Sequence, residues 1–438
     1  MRIAIYHSNF ASDAGGAEVF ALRAAKALKE LGHEVDLYTS LASESALRAA
    51  CDSAGTACQP PKLLDAGLND VYVRVARLLA ERRVLISLFL NSVFRHMAGK
   101  AFSSVSELSS RYDLVITMQA PIPLINNINY LGNVPGDLTY FHYPSTHLVL
   151  LGKYIPDSLN PLVRLYKRLI MKLEYVTLKE VGSYFARTYK VATNSSWTKR
   201  GLIDLFSKVS EALPAAHIWR LVTTIKSASV IYPPIDYDLL SAAYDPNSKK
   251  DLVLTVSRYY YGKNLWSVIY TASKVTDAHF IIAGTTMTPD SNKVIAELEV
   301  LADRLRVKNV TLEKDVPRRR LTELYEEAKV YLHPLYAEHF GIAIAEGAAA
   351  GAVPVVYKDG GGWTDIASRI DPTLGYINVN EAASIVKSLL GGRDLWLRLS
   401  RRSVKVAEDF SWGNFKRRLN VVVRETYEMK RRSHHKLT

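Results

Sequence analysis

Cysteine is scarce in this chain: two among 438 residues, Cys51 and Cys58. Their C-x6-C spacing matches no common zinc or redox motif, and so few thiols suit a reducing compartment. Long apolar runs are missing as well. The longest candidate, VLISLFL at 84–90, falls far short of the roughly 20 residues needed to cross a bilayer. The first residues, MRIAIYH, read as a strand and not as a signal peptide. Short solenoid repeats and long low-complexity segments are also lacking. Together these shortages predict a soluble, cytoplasmic protein.

Acidic charge is short too, and unevenly so. The formal net charge is +13. Residues 62–100 carry seven Lys/Arg against three Asp/Glu, residues 153–200 carry ten against three, and residues 416–438 carry eight against two. The rest of the chain is therefore slightly acidic. A basic excess confined to three segments points to a polyanionic surface, membrane lipid or nucleic acid. Each segment alone is equally a solvated helix face.

What the chain does have is apolar residues, 48%, enough for the cores of two or three domains. RIAIYH (2–7), EVDLYT (34–39), DLVITM (113–118), LTYFH (138–142) and KVATNSS (190–196) read as short buried strands separated by helical stretches, near 17–31 and about 71–109 among them. LVLTVS (252–257), HFIIAG (279–284), NVTLEK (309–314), VYLHP (330–334) and PVVYK (354–358) repeat the theme. Such alternation predicts α/β architecture, with two parallel sheets each covered on both faces. The prolines of YPPID (232–236) mark the boundary. The expected domains are 1–232, 233–410, and a basic helix over 411–438. In parallel sheets ligands bind beyond the carboxyl ends of strands, at helix N-termini.

YAEHFGIAIAEGAAAG (336–351) lies just beyond one such strand end. Glu338 falls in the loop, helix is expected from about Gly341 to Ala350, and Glu346 sits a turn or more inside it. The free N–H groups near Phe340 to Ala343 would form an anion site, and Gly341 would let backbone approach a ligand. One carboxylate on each side of a phosphate suits a ligand with hydroxyls at both ends, the layout of a nucleotide-sugar. Two glutamates at this spacing also suit the surface of an Ala-rich helix. SRYYYGKN (257–264) follows another strand, and its Arg258 and Lys263 are placed to meet a diphosphate or to be solvated. Asp236-Tyr237-Asp238 imitates a metal motif; its place after YPP favours a helix cap for Asp236.

The order SR…GKN, then EHFGIAIAEGAAAGAVPVV, then KDGGGW (358–363), resembles the retaining glycosyltransferases of family 4, which have the GT-B fold: two Rossmann-like domains facing across a cleft, with a C-terminal helix crossing back. Glu338 and Glu346 match that family's Glu-x7-Glu signature. HYP (142–144), NSSWT (194–198) and YPP (232–234) resemble the eukaryotic branch of α-1,2-mannosyltransferases acting on dolichol-linked oligosaccharides. The Gly-rich loop departs from the family in having Trp363-Thr364-Asp365 where many members have a glutamate, and part of residues 183–230 matches nothing in the pattern.

The resemblance implies roles. Arg258 and Lys263 would hold the donor diphosphate, Glu346 the ribose hydroxyls, and Glu338 the transferred sugar. The backbone of His339, Phe340, Gly341 and Ile342 would contact sugar and phosphate. Gly15 and Gly16 would line the N-terminal side, and His142 would meet a sugar hydroxyl, though without the family a buried structural histidine is the better reading. No tightly bound cofactor or metal is implied. The donor would be a nucleotide-sugar, GDP-mannose before a UDP-sugar, and the acceptor a lipid-linked saccharide at the cytoplasmic membrane face. Apolar positions 162, 165, 166, 169, 173 and 176, with Arg164, Arg168 and Lys172 in a row, and Arg74, Arg77, Arg82 and Arg83 within 71–100, suit helices lying on an anionic leaflet or wet core helices. A nucleotide-sugar 2-epimerase and a soluble starch- or sucrose-type synthase share the fold and remain alternatives. No standard nucleic-acid motif appears.

Overall fold

The computed structural model describes residues 1–10, 15–64, 103–119, 135–142, 182–185, 187–286 and 290–435, with Pro161, Leu165 and Lys179 as isolated helical positions. Most of the expected basic helices at 71–100 and 161–179, and Tyr143 and Pro144, lie outside these residues. The chain divides into two compact units. One comprises Met1–Asn194, Thr198–Ile231 and Lys416–Thr438; the other comprises Ser195–Trp197 and Tyr232–Phe415.

The first unit is built on a seven-stranded parallel sheet. Its strands run, side by side, Lys62–Leu63, Glu34–Thr39, Arg2–His7, Leu114–Gln119, Leu138–Phe141, Lys190–Thr193 and Ser229–Val230. Ile3 pairs with Val35 on one side and Leu114 on the other. Ile3, Ala4, Ile5 and Tyr6 have no exposed surface, as continuous apolar runs in a sheet covered on both faces require. Full burial of such a Val or Ile side chain is worth about 1.5–3 kcal/mol. The unmatched stretch within 183–230 forms two helices, Ser196–Ala212 and Ala216–Lys226.

The second unit holds a six-stranded parallel sheet in the order Val310–Lys314, His279–Gly284, Lys250–Val256, Ala328–His333, Val353–Tyr357 and Gly375–Tyr376. The strand order reverses between Lys250–Val256 and Ala328–His333, where Val253 pairs with Val330. In the first sheet it reverses between Arg2–His7 and Leu114–Gln119. At such a reversal the loops leave their strands toward opposite faces and open a crevice for a ligand.

The last helix, Trp412–His435, is one long element, as its sequence predicts, and from Lys416 onward it belongs to the first unit. Its charge is less available than composition implies. Lys430 is buried, with Nζ donating to Asp137 Oδ2 at 2.9 Å and to Ser109 O and Oγ, both at 3.0 Å. Lys416 pairs with Glu30 at 3.0 Å, and Lys190 of the neighbouring strand pairs with Glu425. Arg417, Arg424, Arg431 and Arg432 remain exposed. Cys51 and Cys58 are not separate thiols but form a disulfide. Gly55, at φ 60°, turns the chain back after the helix Glu44–Ala54 and brings the two within reach, a return that the sequence spacing alone does not reveal.

Candidate active site

The reversal in the second sheet gathers charge from two loops. Beyond Lys250–Val256 the chain makes a short 3-10 turn, Tyr261–Lys263, and Asn264 takes the left-handed conformation at φ 52°. Asn264 then donates from Nδ2 to Pro334 O at 3.1 Å, tying this loop to the one that follows Ala328–His333. Lys263 Nζ comes to 3.4 Å from Glu338 Oε2, and His333 Nε2 donates to the same oxygen at 3.2 Å. The Lys263 and Glu338 side chains keep 24% and 18% of their surface open, so the cluster can be reached. Burial pushes the Glu338 carboxyl up, but the Lys263 ammonium and His333 outweigh it and hold the group well below the ordinary carboxylate range. His339 is lowered as well: burial, opposed by Glu338 and aided by Lys263, brings it to about 4. At neutral pH the pair is Glu338 ionised beside a neutral His339.

Two glycines fix the Glu338 loop for different reasons. Gly341 stands at φ 92° and precedes the helix Ile342–Ala349, a turn into the helix that a side chain would strain. Gly361 packs its backbone onto the loop; its amide donates to Glu338 O at 2.6 Å, and a Cβ there would fall 2.1 Å from His339 O. The first intrahelical bond runs from Ala345 N to Gly341 O, so the amides of the preceding turn have no carbonyl partner within the helix. The small residues bring this helix close to the sheet, since a Cβ on Gly347 would lie 2.9 Å from the Tyr331 ring. Phe340 is buried against Tyr232 and Phe410, and Ile342 is partly buried. Arg258 is exposed, and its guanidinium makes no hydrogen bond or ion pair to the described residues; the structure does not bond it into the Lys263–Glu338 cluster.

Glu346 lies inside the helix with its side chain 9% exposed. Its Oε1 meets Arg318 Nη2 at 2.9 Å and its Oε2 accepts from the Tyr325 hydroxyl at 3.0 Å. Asp236 stands at the N-cap of Tyr237–Ala242 but makes no side-chain cap bond. Its carboxylate accepts from Arg318 instead, at 2.9 Å. The reading of Asp236 as a helix cap is thus right for position and wrong for bonding, because a guanidinium two-charge bridge is the stronger partner.

In the Gly-rich loop, Asp365 is 1% exposed and serves the protein itself. It accepts from Ser196 N at 2.9 Å, Trp197 N at 3.4 Å, Tyr232 OH at 3.0 Å and Thr364 Oγ1 at 2.7 Å. Trp197 Nε1 also donates to Asp359 Oδ1 at 2.8 Å. Ser196 and Trp197 are thereby bound to the loop, both through their backbone amides and Trp197 also through its indole.

In the first unit, Gly15 is the N-cap of Gly16–Glu30, and its amide donates to Glu18 Oε2 at 2.9 Å. A Cβ on Gly15 would sit 2.9 Å from that oxygen. His7, fully buried at the end of its strand, faces Glu18 Oε1 at 3.5 Å. Burial raises the Glu18 carboxyl, and His7 with the Gly15 amide brings it back below its ordinary value. His142 is buried, 7% exposed, edge-on to Phe20 at 5.2 Å and Tyr140 at 4.9 Å.

Sequence reasoning passed over His333, Asn264, Arg318 and Tyr325. His333 carried one readable signal, a histidine closing an otherwise apolar strand. The others are recruited by folding from segments that read as ordinary loop and helix.

Residues 236–388 match the family described as glycosyl transferases group 1. A Dictyostelium discoideum protein named GDP-Man:Man(3)GlcNAc(2)-PP-Dol alpha-1,2-mannosyltransferase is 23% identical over 302 residues, 63% of this chain and 56% of that protein. The chain thus matches little more than half the length of that relative. A crystal structure of Anabaena HepE with UDP-glucose superposes at a TM-score of 0.60 and 13% identity, covering 97% of this chain and all of the other. Sucrose-phosphate synthase from Thermosynechococcus elongatus does so at 0.62 and 14%, covering 98% and 99%. The two parallel sheets with their helices are those of the GT-B glycosyltransferases. With Glu338 and Glu346 both inside the matched span, residues 236–388 are a group 1 glycosyl transferase domain.

Proposed function

We propose that the chain is a retaining, metal-independent hexosyltransferase that moves mannose from GDP-mannose to a lipid-linked saccharide at the cytoplasmic face of a membrane. The observation that carries this is the Lys263–Glu338 pair, partly open to solvent beside the amides that begin Ile342–Ala349 and have no partner within that helix. The donor sugar and acceptor follow the name of the Dictyostelium relative.

In this reading the anomeric carbon–oxygen bond to the diphosphate breaks through an oxocarbenium-like transition state. Negative charge grows on the departing phosphate oxygens. The Lys263 ammonium, Arg258 and the amides before Ala345 oppose that charge, so they bind the transition state better than the ground state. Glu338, ionised at neutral pH, accepts hydrogen bonds from hydroxyls of the transferred sugar, and His339 contributes backbone contacts. The acceptor oxygen bonds to the anomeric carbon from the face the phosphate leaves, and its proton passes to a phosphate oxygen. Gly15, Gly16 and His142 belong to the first unit and would serve the N-terminal side of the reaction, His142 through a hydroxyl of the sugar. The exposed arginines of the C-terminal helix, with the basic segments at 71–100 and 161–179, favour an anionic leaflet.

The test is transfer of radiolabelled mannose from GDP-mannose to Man(3)GlcNAc(2)-PP-Dol in vesicles. Label in the lipid phase, released by α-mannosidase and insensitive to EDTA, is the expected result. Release of an epimerised free sugar without acceptor would establish the isomerase reading. Transfer from a UDP-sugar to a soluble acceptor alone would replace both.

A further inference from the structure

Two side chains of a single helix converge on the Glu346 carboxylate. Arg318 opens the helix Arg318–Glu327, and Tyr325, two turns on, lies on the same face of it. Both reach Glu346, one to each oxygen, at 2.9 and 3.0 Å. Arg318 reaches back to Asp236 at 2.9 Å through the same nitrogen. Tyr325 has no exposed surface, and its carbonyl accepts from buried Lys249 at 2.9 Å. Arg318, by contrast, keeps 47% of its side chain exposed. The arrangement is a two-sided clamp, rigid and dry at the tyrosine end and open at the arginine end.

A carboxylate this buried needs partners to stay ionised. Two donors leave each oxygen with acceptor capacity to spare, since a carboxylate offers about four lone-pair sites. A hydroxyl arriving from the open side thus finds an oxygen already aimed and charged. The geometry points to Arg318 and Tyr325 as positioning residues that align Glu346 for the vicinal hydroxyls of a nucleoside, with Asp236 holding the arginine in place. This deepens the proposed function and rests on its assignment of Glu346 to the ribose. Arg318 bridges two carboxylates in a way a lysine ammonium cannot reproduce with fixed direction.

The experiment compares binding and turnover of ribonucleoside and 2′-deoxyribonucleoside diphosphate forms of the donor in full-length wild type, Arg318→Ala, Arg318→Lys, Tyr325→Phe and Glu346→Gln. Arg318→Ala and Tyr325→Phe should each raise KM about 10-fold, more than they lower kcat, and shrink the preference for the ribo form toward one. Arg318→Lys should restore only part of it. Tyr325→Phe removes a hydroxyl without altering the packing, so it reports even if Arg318→Ala folds poorly. If Glu346→Gln abolishes the ribo preference while Arg318→Ala and Tyr325→Phe retain it, the clamp is overturned and the ribose assignment stands. If Glu346→Gln itself keeps the preference, the ribose assignment fails and the clamp falls with it.

Discussion

Each sheet reverses its strand order beside a strand that ends in histidine, His7 in the first unit and His333 in the second. Each histidine faces a glutamate, Glu18 at 3.5 Å and Glu338 at 3.2 Å. The resemblance stops there. Glu18 also accepts the Gly15 amide, so it is part of a helix start, and its histidine is sealed off. Glu338 has no such duty. It pairs with a lysine from another loop and remains reachable. Among the described residues of the first unit, the buried Lys430–Asp137 pair likewise docks a helix, whereas in the second unit buried Glu346 pairs with a half-exposed Arg318. The same pairings thus support structure in one unit and leave a charged, accessible site in the other. Surrounding contacts, not residue type, make that difference.

The sharpest way to break this contrast is to remove a charge from each unit. Asp137→Ala leaves Lys430 buried without its carboxylate, and loss of one partner of a buried pair costs about 3–5 kcal/mol. Urea unfolding should show that loss, with nucleotide-sugar affinity of the folded fraction unchanged. Lys263→Ala should do the converse, lowering turnover on the order of 10²-fold or more, as loss of one donor to a developing oxyanion does, with little change in the melting temperature. Wild-type turnover in that variant would remove the second unit's claim to the chemistry.

A third test uses pH. Burial lowers the Lys249 ammonium to about 7, while an unfolded lysine titrates near 10.4, roughly. Between those values the unfolded chain binds more protons, so this group's contribution makes stability rise with pH through that window and leaves it lowest below about 7. Lys249→Met should flatten the rise, measured as urea midpoints from about pH 6 to 10 beside wild type. The smallest effect is expected at Glu18→Gln. Its folded carboxyl sits below its ordinary value, so its stabilisation is present above about 4.5 and is lost as pH falls through the folded value. The substitution should cost about 1 kcal/mol at neutral pH, the range of a lost helix cap, and less in acid. A large loss of transfer activity instead would place Glu18 with Glu338 and dissolve the contrast.

Much of the second unit is legible along the chain. Its strands are short apolar runs ending in polar loops, and HFIIAG coincides with its strand residue for residue. The helix after Gly341 begins at Ile342, because glycine in a left-handed turn followed by small and apolar residues allows little else. What could not be read is which charges meet. Lys263 and Glu338 are 75 residues apart, and Arg318 reaches Asp236 across 82. Asp365 reads only as part of a departure from the family pattern in a Gly-rich loop, yet it accepts from amides 169 and 168 positions away. The disulfide was hidden for a similar reason, since a loop's return depends on the left-handed Gly55 and not on spacing.

Sequence alone determined the parallel sheets, the Glu-x7-Glu spacing and the glycine that starts the site helix, because backbone preference and apolar periodicity act between neighbours. Tertiary structure decided which carboxylate is open, which is clamped and which is sealed. Desolvation and ion pairing act through space, between residues that only the folded chain brings together.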